Sequence, residues 1–307
     1  MKSETTQPGP DGVLLVDKPA DITSATVVSR VKALLNAKKA GHAGTLDPFA
    51  TGLLICLVGK ATRLADFFLH GNKAYEGLLC LGTETDTLDG TGTVTATSDI
   101  TGMDLTTERI YKTIAGFQGE YDQPPPAYSA VKHNGKPLYD YARRGVTIEK
   151  PHRRVAISAI SVGAVSLPLV RFSVECSGGT YIRVLAADIG KALGCGAYLK
   201  SLRRIAACGF SVTNAVTIEM LTALASQNRA NERLIGMNDA LWRMPRLDVD
   251  KALAARILNG ARLTTKELAP PPGLKSTGVF KATCQNRLLG VMEKTGDAYR
   301  YRCVFPD

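Results

Sequence analysis

One carboxylate, Asp47, stands in a loop whose residue types suit the presentation of a reactive group. The loop reads Gly41-His-Ala-Gly-Thr-Leu-Asp-Pro-Phe-Ala-Thr-Gly-Leu-Leu54 and leads into an apolar run. Gly41 and Gly44 let the backbone approach a ligand closely, and Pro48 stiffens the bend. An aspartate held in this way can act as a nucleophile, a base or a metal ligand. A turn without function is the alternative, because Gly, Asp and Pro are also the usual turn residues.

Further segments of the chain occur in the same order as in one enzyme family. Besides the Asp47 loop they are Gly12-Val-Leu-Leu-Val-Asp-Lys-Pro19, Lys73-Ala-Tyr75, Gly82-Thr-Glu-Thr-Asp-Thr87, Pro126-Ala-Tyr-Ser-Ala-Val-Lys132, Gly178-Gly-Thr-Tyr-Ile-Arg183 and Leu202-Arg-Arg204. Over most of residues 12–215 the sequence therefore resembles the TruB-type tRNA pseudouridine 55 synthases. The resemblance implies an isomerase that breaks the N1–C1′ bond of a uridine and rejoins the ribose through C5. Such an isomerisation requires no redox cofactor or energy source, so we expect no cofactor and no metal.

The resemblance also implies three catalytic residues. Asp47 would be the nucleophile, and the sequence leaves open whether it attacks ribose C1′ or uracil C6. Arg183 would be its guanidinium partner, which offsets the rise in carboxyl pKa that a dry pocket causes. Tyr75 would pack on the target base and is a candidate for moving a proton at C5. Without the resemblance, Arg183 would be interpreted as a surface residue of a helix and Tyr75 as a half-buried strand residue.

Five more residues match positions that bind substrate in the family. The resemblance implies that His42 fills the space left by a flipped-out nucleotide, that Tyr181 forms a pocket wall and that Leu202 closes the pocket over the uracil. Lys18 and Lys132 are candidate phosphate or pocket contacts. An ordinary role competes for each of the five: a loop histidine, a core tyrosine, a core leucine and two solvated lysines.

Charge and composition narrow the class of partner. The formal net charge is +10 without an acidic tail, and a basic surface favours polyanions such as nucleic acid. The apolar runs are too short for a membrane-spanning helix, so we expect no membrane partner. Residues 1–11 lack the apolar region of a signal peptide and are predicted to be a disordered leader.

The cysteines and histidines argue against disulfides and zinc. The seven cysteines are scattered and form no C-x-x-C pair, which indicates free thiols and a reducing, cytoplasmic location. The four histidines show no ligand spacing with them, so a zinc site is not expected. No string typical of a phosphate-binding loop or of a dinucleotide-binding turn occurs.

The periodicity of the chain predicts an α+β fold. Strands are expected over 13–16, 75–82, 155–165, 169–176 and 197–204, and helices over 24–35, 61–69, 107–117, 181–193, 219–224, 231–241 and 251–258. Three short strands near 278–282, 288–293 and 298–305 follow. We predict a catalytic pseudouridine-synthase domain over residues 12–245, built on a mixed, mostly antiparallel central sheet with flanking helices. Residues 246–307 are predicted to form a small β-rich domain, which the resemblance implies is PUA-like.

Residues 124–154 differ in character from the rest of the predicted catalytic domain. They open with three prolines and interleave lysines and arginines with Tyr128, Tyr139 and Tyr141. Cations of this kind meet phosphates, and the rings can stack on unpaired bases. We interpret the segment as a thumb that grips RNA. A solvated basic lobe is the alternative.

Together these observations predict a stand-alone, monomeric enzyme that acts on the T-arm of tRNA, at uridine 55, without an obligate protein partner. A guide-RNA-dependent synthase of the dyskerin type shares the aspartate loop and the PUA-like end. The 124–154 thumb disfavours it, because a guide-dependent enzyme obtains its grip on substrate from partners. A non-catalytic RNA-binding protein or tRNA chaperone is the alternative from another class.

Overall fold

The computed structural model describes residues 9–129, 131–146, 148, 151–274 and 278–306, and only the backbone of Lys132. Residues 1–8 of the predicted leader lie outside this part. Asp11, the last residue of that leader, is held in place, since its carboxylate accepts a hydrogen bond from the Lys60 amide at 2.6 Å. Within the described residues, no helix combines the length and apolarity needed to cross a membrane.

The strands are short to medium in length. In chain order they are β1 (Gly12–Lys18), β2 (Ala40–His42), β3 (Thr51–Val58), β4 (Lys73–Leu81), β5 (Thr83–Thr85), β6 (Val94–Thr97), β7 (Gly119–Gln123), β8 (Lys132–His133), β9 (Lys136–Pro137), β10 (Arg153–Ser166), β11 (Leu169–Cys176), β12 (Ala197–Ala207), β13 (Phe210–Ser211), β14 (Arg246–Asp248), β15 (Val279–Cys284), β16 (Arg287–Thr295) and β17 (Ala298–Val304).

The α-helices are α1 (Ser24–Leu34), α2 (Ala65–Leu69), α3 (Thr107–Ala115), α4 (Leu138–Ala142), α5 (Ile182–Leu193), α6 (Ile218–Ser226), α7 (Met237–Ala240) and α8 (Lys251–Leu258). Short 3-10 helices occupy Gly59–Leu64, Val212–Asn214 and Ala230–Arg233. The helix ends have local causes. Thr23 caps α1 by accepting a hydrogen bond from the Thr26 amide, and Gly194, at φ 81°, ends α5 in the left-handed conformation that glycine tolerates.

A nine-stranded sheet forms the centre of the molecule. Its main order is β1-β3-β12-β4-β11-β10-β7, with β2 paired to β3 and β13 paired to β12. Neighbours are antiparallel except β3 and β12, which are parallel. The predicted α+β fold with a mixed, mostly antiparallel sheet is therefore confirmed. The β10–β11 hairpin also lies where the sequence places it, because both strands alternate apolar and polar residues.

The centre of this sheet brings distant parts of the sequence together. In the β12–β4 ladder Arg204 lies opposite Tyr75, and in the β12–β3 ladder it lies opposite Gly52. Gly52 lies in the last part of the Asp47 loop, where β3 begins, so the loop and β4 meet at β12. Helix α5 packs on β12 and buries a face that includes Leu185, an apolar contact that fixes the first turn of the helix against the sheet.

The prediction of one helix over residues 231–241 is wrong. A 3-10 helix covers Ala230–Arg233, α7 covers Met237–Ala240, and the backbone between them is extended. The cause is tertiary pairing, since the Ile235 amide donates to the Val13 carbonyl at 2.8 Å and the Val13 amide donates to the Ile235 carbonyl at 2.9 Å. Two hydrogen bonds to β1 therefore replace helical bonds at this point.

The C-terminal residues form a separate sheet in the order β14-β15-β16-β17, covered by α8. Ile257, Phe280 and Met292 lie in its own apolar core. Its other face joins the core of the large sheet, because Val291 and Phe305 cluster with side chains of β1 and β3. The predicted small β-rich end is thus confirmed, whereas the boundary at residue 246 and the PUA-like assignment stay predictions.

The predicted thumb is a small substructure within residues 124–154. The two-residue strands β8 and β9 form a hairpin, and α4 follows it with Leu138 buried. The pairing leaves the basic residues Arg143 and Arg144 at the end of α4.

Replacement of Gly52 by alanine tests the close packing of β3 on β12. Gly52 has a φ of 101°, and a Cβ at this position would lie 2.3 Å from the Arg204 carbonyl oxygen. Both strain and collision with backbone oppose a side chain, so we expect Gly52→Ala to lower the free energy of unfolding by about 2 kcal/mol or more. Urea unfolding measures this. Gly102→Ala is the control, since a Cβ there meets nothing within 4 Å. An unchanged urea midpoint in Gly52→Ala would contradict this packing.

Candidate active site

Buried side chains hold the Asp47 loop from below. Lys18, at 0% exposure, donates from Nζ to the carbonyl oxygens of Pro19 and Ile22 at 2.8 Å and of Pro48 at 2.9 Å. Burial lowers the pKa of Lys18 to about 8, which leaves the ammonium protonated at neutral pH. Lys18 therefore lies beneath the loop with three backbone oxygens as its partners, a geometry that suits positioning of Asp47 better than contact with a phosphate.

Two more residues fix the remainder of the loop. The Ser24 hydroxyl donates to the Leu46 carbonyl and accepts from the Leu46 amide, both at 2.9 Å. From the other side, Arg204 donates from Nε to the Leu53 carbonyl at 2.6 Å and from Nη2 to the Gly44 carbonyl at 3.0 Å. The backbone on both sides of Asp47 is thus tied to buried groups.

Arg183 forms a side-on ion pair with Asp47. Arg183 Nε lies 2.9 Å from Asp47 Oδ2, and Nη2 lies 3.4 Å from Oδ1. The Arg183 side chain is only 5% exposed, whereas that of Asp47 is 37% exposed. The carboxylate therefore has a buried cation on one side and an open side towards a cavity.

The other N–H groups of Arg183 also have partners. Nη1 donates to the Thr87 carbonyl at 2.7 Å, and Nη2 donates to the Tyr128 carbonyl at 2.8 Å. Asp89 Oδ2 lies 3.5 Å from Nη1. These contacts fix the guanidinium plane, so Arg183 can meet Asp47 without reorganisation.

Asp89 is a site residue that sequence analysis missed. It is 4% exposed, and its Oδ1 accepts hydrogen bonds from the Thr87 hydroxyl at 2.8 Å and from the amide and hydroxyl of Thr91 at 3.0 and 2.6 Å. The sequence feature that could have indicated it is its position two residues after the Gly82–Thr87 segment, in a turn rich in Thr, Gly and Asp. Such a turn is also common without function.

The start of α5 places Arg183 in this network. Tyr181 precedes the helix, and its backbone pairs with the Gln123 side chain: the Tyr181 amide donates to Gln123 Oε1 at 2.7 Å and Gln123 Nε2 donates to the Tyr181 carbonyl at 3.0 Å. Gln123 is 1% exposed and ends β7. The large sheet thereby fixes the first turn of α5, on which Arg183 is the second residue.

Opposing effects set the charge state of Asp47. Burial raises the pKa of its carboxyl above the ordinary value, the Arg183 guanidinium opposes this rise, and the negative charge of Asp89 adds to it. The net pKa is raised. Arg183 therefore offsets part of the desolvation, and an ionised Asp47 forms more readily at neutral pH than it would without the pair.

The ion pair opens into a cavity of about 910 Å³. Six residues singled out in the sequence line it: Asp47, Arg183, Tyr75, His42, Tyr181 and Leu202. Tyr128, Tyr139 and Arg143 of the predicted thumb line it too. The cavity combines aromatic and apolar walls with many polar and charged side chains, which could orient a small-molecule or nucleobase ligand.

Tyr75 and His42 have shifted pKa values in this cavity. Burial raises the pKa of the Tyr75 phenol and the Arg204 guanidinium opposes the rise, so the hydroxyl is neutral at neutral pH. Burial, with Arg204, lowers the pKa of His42, which keeps its imidazole neutral. Within the described part of the chain, His42 Nδ1 and the Ser129 hydroxyl are buried without a hydrogen-bond partner, and both residues line the cavity.

The eight predicted site residues do not all lie at the cavity. Six surround one cavity, Lys18 lies beneath the loop, and the Lys132 side chain lies outside the described residues. Lys73 and Arg204 also line the cavity, although the sequence assigned them no role. Among the described residues, no cluster of three or more His, Cys, Asp or Glu side chains could hold a metal ion.

Comparison with family models and with known proteins identifies the family of the chain. Residues 32–182 match the model of the TruB family pseudouridylate synthase N-terminal domain, and residues 183–253 match the model of the tRNA pseudouridylate synthase B C-terminal domain. The chain is 44% identical over 282 residues to a tRNA pseudouridine synthase B of Burkholderia mallei (strain NCTC 10247), covering 92% of each chain. It is 45% identical over 284 residues to one of Azoarcus sp. (strain BH72), covering 92% of this chain and 91% of the other.

Solved structures share the fold. A crystal structure of a Cbf5-Nop10-Gar1 complex matches with a TM-score of 0.76 and 26% identity, covering 99% of this chain and 92% of the other. An H/ACA RNP bound to a substrate RNA containing 2′-deoxyuridine matches with a TM-score of 0.74 and 24% identity, covering 100% and 94%. The predicted family is confirmed: the chain belongs to the TruB family of tRNA pseudouridine synthases, which are isomerases.

Proposed function

We propose that this enzyme converts uridine 55 in the T-loop of tRNA to pseudouridine, with Asp47 as the nucleophile. The observation that carries the proposal is the Asp47–Arg183 ion pair, which faces a cavity large enough for an extruded nucleoside. In the overall reaction the N1–C1′ bond breaks and a C5–C1′ bond forms. The proton on C5 leaves and N1 ends with a proton, so no redox partner is needed.

The site suits a covalent step by a carboxylate. Asp47 is 37% exposed towards the cavity, so it can reach a substrate while Arg183 holds its other side. A transient bond from a carboxylate oxygen to the nucleoside divides one difficult rearrangement into easier steps. The geometry is compatible with attack on ribose C1′ or on uracil C6, and the proposal does not depend on the choice.

The cavity walls support extrusion of the target base. A uridine that leaves its stack needs an apolar surface in exchange, and Leu202 and Tyr181 offer one. Tyr75 would lie against the base with a neutral hydroxyl and is our candidate for proton movement at C5. The buried, unpartnered His42 Nδ1 and Ser129 hydroxyl are available to bind polar groups of the RNA.

Substrate binding by this chain alone is favoured over guide-dependent action. Cbf5 is crystallised with Nop10 and Gar1, so a partner-dependent mode is a real alternative for this fold. Here, however, Tyr128, Tyr139 and Arg143 bring aromatic and cationic groups of the same chain to the cavity. We therefore propose a monomer that recognises the T-arm of tRNA without a protein partner.

Substitution of Asp47 tests catalysis directly. We expect Asp47→Asn to reduce pseudouridine formation by about 10⁴-fold or more, because an amide cannot replace an ionised nucleophile. Binding of tRNA should persist. Mapping of pseudouridine in a tRNA transcript, beside a transcript with cytidine at position 55, measures both site and rate. Asp99→Asn, at an exposed aspartate, is the control.

Two outcomes would contradict the assignment. Turnover retained by Asp47→Asn would show that another group is the nucleophile, and tRNA binding without product in the unsubstituted enzyme would favour a chaperone. Product formed only after addition of a guide RNA and partner proteins would favour the dyskerin-type alternative.

Substitution of Lys18 separates a positioning role from a phosphate contact. Lys18→Met leaves three carbonyl oxygens without their donor, so we expect a free energy of unfolding lower by about 2 kcal/mol. Single-turnover rates at saturating tRNA should fall while the Kd for tRNA is unchanged, since the loop loosens but no RNA contact is lost.

Lys112→Met, at an exposed lysine of α3, is the matched control. It should leave the free energy of unfolding, the single-turnover rate and the Kd for tRNA unchanged. If Lys18→Met instead binds tRNA more weakly and the slope of log Kd against log salt concentration falls by about one, Lys18 is a phosphate contact.

A further inference from the structure

We propose that Trp242 and Arg243 form a second RNA-binding platform, outside the cavity, for the ribose-phosphate backbone of the tRNA. The indole would pack on a ribose and the guanidinium would bind the neighbouring phosphate. The inference rests on the proposed function, because it requires that the bound polymer extends well beyond the single nucleotide in the cavity.

Trp242 is exposed in a way that its residue type does not explain. It is the single tryptophan of the chain and is 54% exposed, although tryptophan side chains are highly buried on average. Its backbone follows α7 and is well anchored: Leu241 beside it is 6% exposed, and Lys281 donates to the Asn238 carbonyl at 2.8 Å. A fixed backbone therefore presents a large apolar ring to solvent.

Arg243 gives this ring a cationic neighbour. Its Cζ lies 4.6 Å from the centroid of the Trp242 ring, which is a close cation–π contact. In the part of the chain that the structure describes, Arg243 makes no ion pair with a carboxylate, in contrast to Arg302, which pairs with Asp66 at 3.1 Å. The Arg243 guanidinium is thus ordered by stacking and still able to bind a phosphate.

The pair lies on a surface that continues from the cavity. The turn after α2 is at the cavity rim, since Leu69 lines the cavity and a Cβ on Gly178 would lie 2.9 Å from His70. Cys208 packs on the same turn, because its amide donates to the Asn72 carbonyl at 2.9 Å.

Gly209, which follows Cys208, completes the connection to Trp242 and Arg243. A Cβ on Gly209 would lie 2.9 Å from Trp242 Cζ2 and 2.8 Å from Arg243 Cζ. The residues therefore follow one another from the cavity rim to Trp242 by direct contact.

Charge decides which partner fits this surface. The chain carries a net charge of +10, and Asp66, the acidic residue of α2, is already engaged by Arg302 and His70. An exposed ring with a stacked, uncompensated guanidinium matches a sugar-phosphate chain. We choose tRNA because the cavity on the same surface requires an RNA that passes over its rim.

The test compares four variants by tRNA binding and by single-turnover kinetics. Trp242→Ala is expected to weaken the Kd for unmodified tRNA about fivefold to fiftyfold, the range of one lost ring contact, while the rate at saturating tRNA is unchanged. Trp242→Phe should restore most of the affinity. Arg243→Gln should reduce the slope of log Kd against log salt concentration by about one. Met220→Ala, at another exposed apolar residue of 47% exposure, should match the unsubstituted enzyme.

The outcomes separate this inference from the proposed function. Urea unfolding establishes that Trp242→Ala is folded. If the unsubstituted enzyme forms pseudouridine normally and folded Trp242→Ala binds tRNA as before, the proposed platform is wrong and the proposed function stands. A lower saturated rate with unchanged Kd would indicate a structural role for Trp242 and would also overturn the inference. If the unsubstituted enzyme makes no pseudouridine in tRNA, the proposed function fails first.

Discussion

The ion pair between Asp47 and Arg183 is the interaction on which the site depends. A carboxylate in a cavity loses hydration, and its pKa rises accordingly. Arg183 counters this effect at a distance of 2.9 Å while its own charge is buried and balanced by Asp89 and two carbonyl oxygens. A buried arginine without these partners would be costly. The pair therefore depends on the complete set of acceptors around the buried guanidinium.

Much of the fold can be understood as a support for this pair. The Asp47 loop enters β3, Arg183 lies in the first turn of α5, and Tyr75 lies on β4, so three separate segments must meet. The parallel contact between β3 and β12 brings the first of them to the centre of the sheet. Gln123 at the end of β7 fixes the start of α5. Lys18 and Arg204 hold the loop through backbone carbonyls, and these contacts keep Asp47 directed at the cavity.

Sequence patterns predict part of this arrangement, for reasons that can be stated residue by residue. Alternation and apolar periodicity place most strands and helices, because those signals are local. The resemblance identifies Asp47 and Arg183 by their segments. Asp89 was missed because its role arises only when its turn meets Arg183, 94 residues later. The helix predicted over 231–241 failed for the same kind of reason, since Ile235 pairs with a strand at the other end of the chain.

The charge of Asp47 is the most direct test of the account. The pKa of its carboxyl can be measured by a pH titration of ¹³C-labelled aspartate carboxyls, with the Asp47 signal assigned by its loss in Asp47→Asn. We expect the Asp47 pKa to lie above the ordinary value of about 4 and to be higher still in Arg183→Gln, because loss of the guanidinium favours the protonated form. Arg203→Gln, which removes a separate pair with Asp17, should leave the titration unchanged. An Asp47 pKa that is the same or lower in Arg183→Gln would contradict the claim that Arg183 favours the ionised form of Asp47.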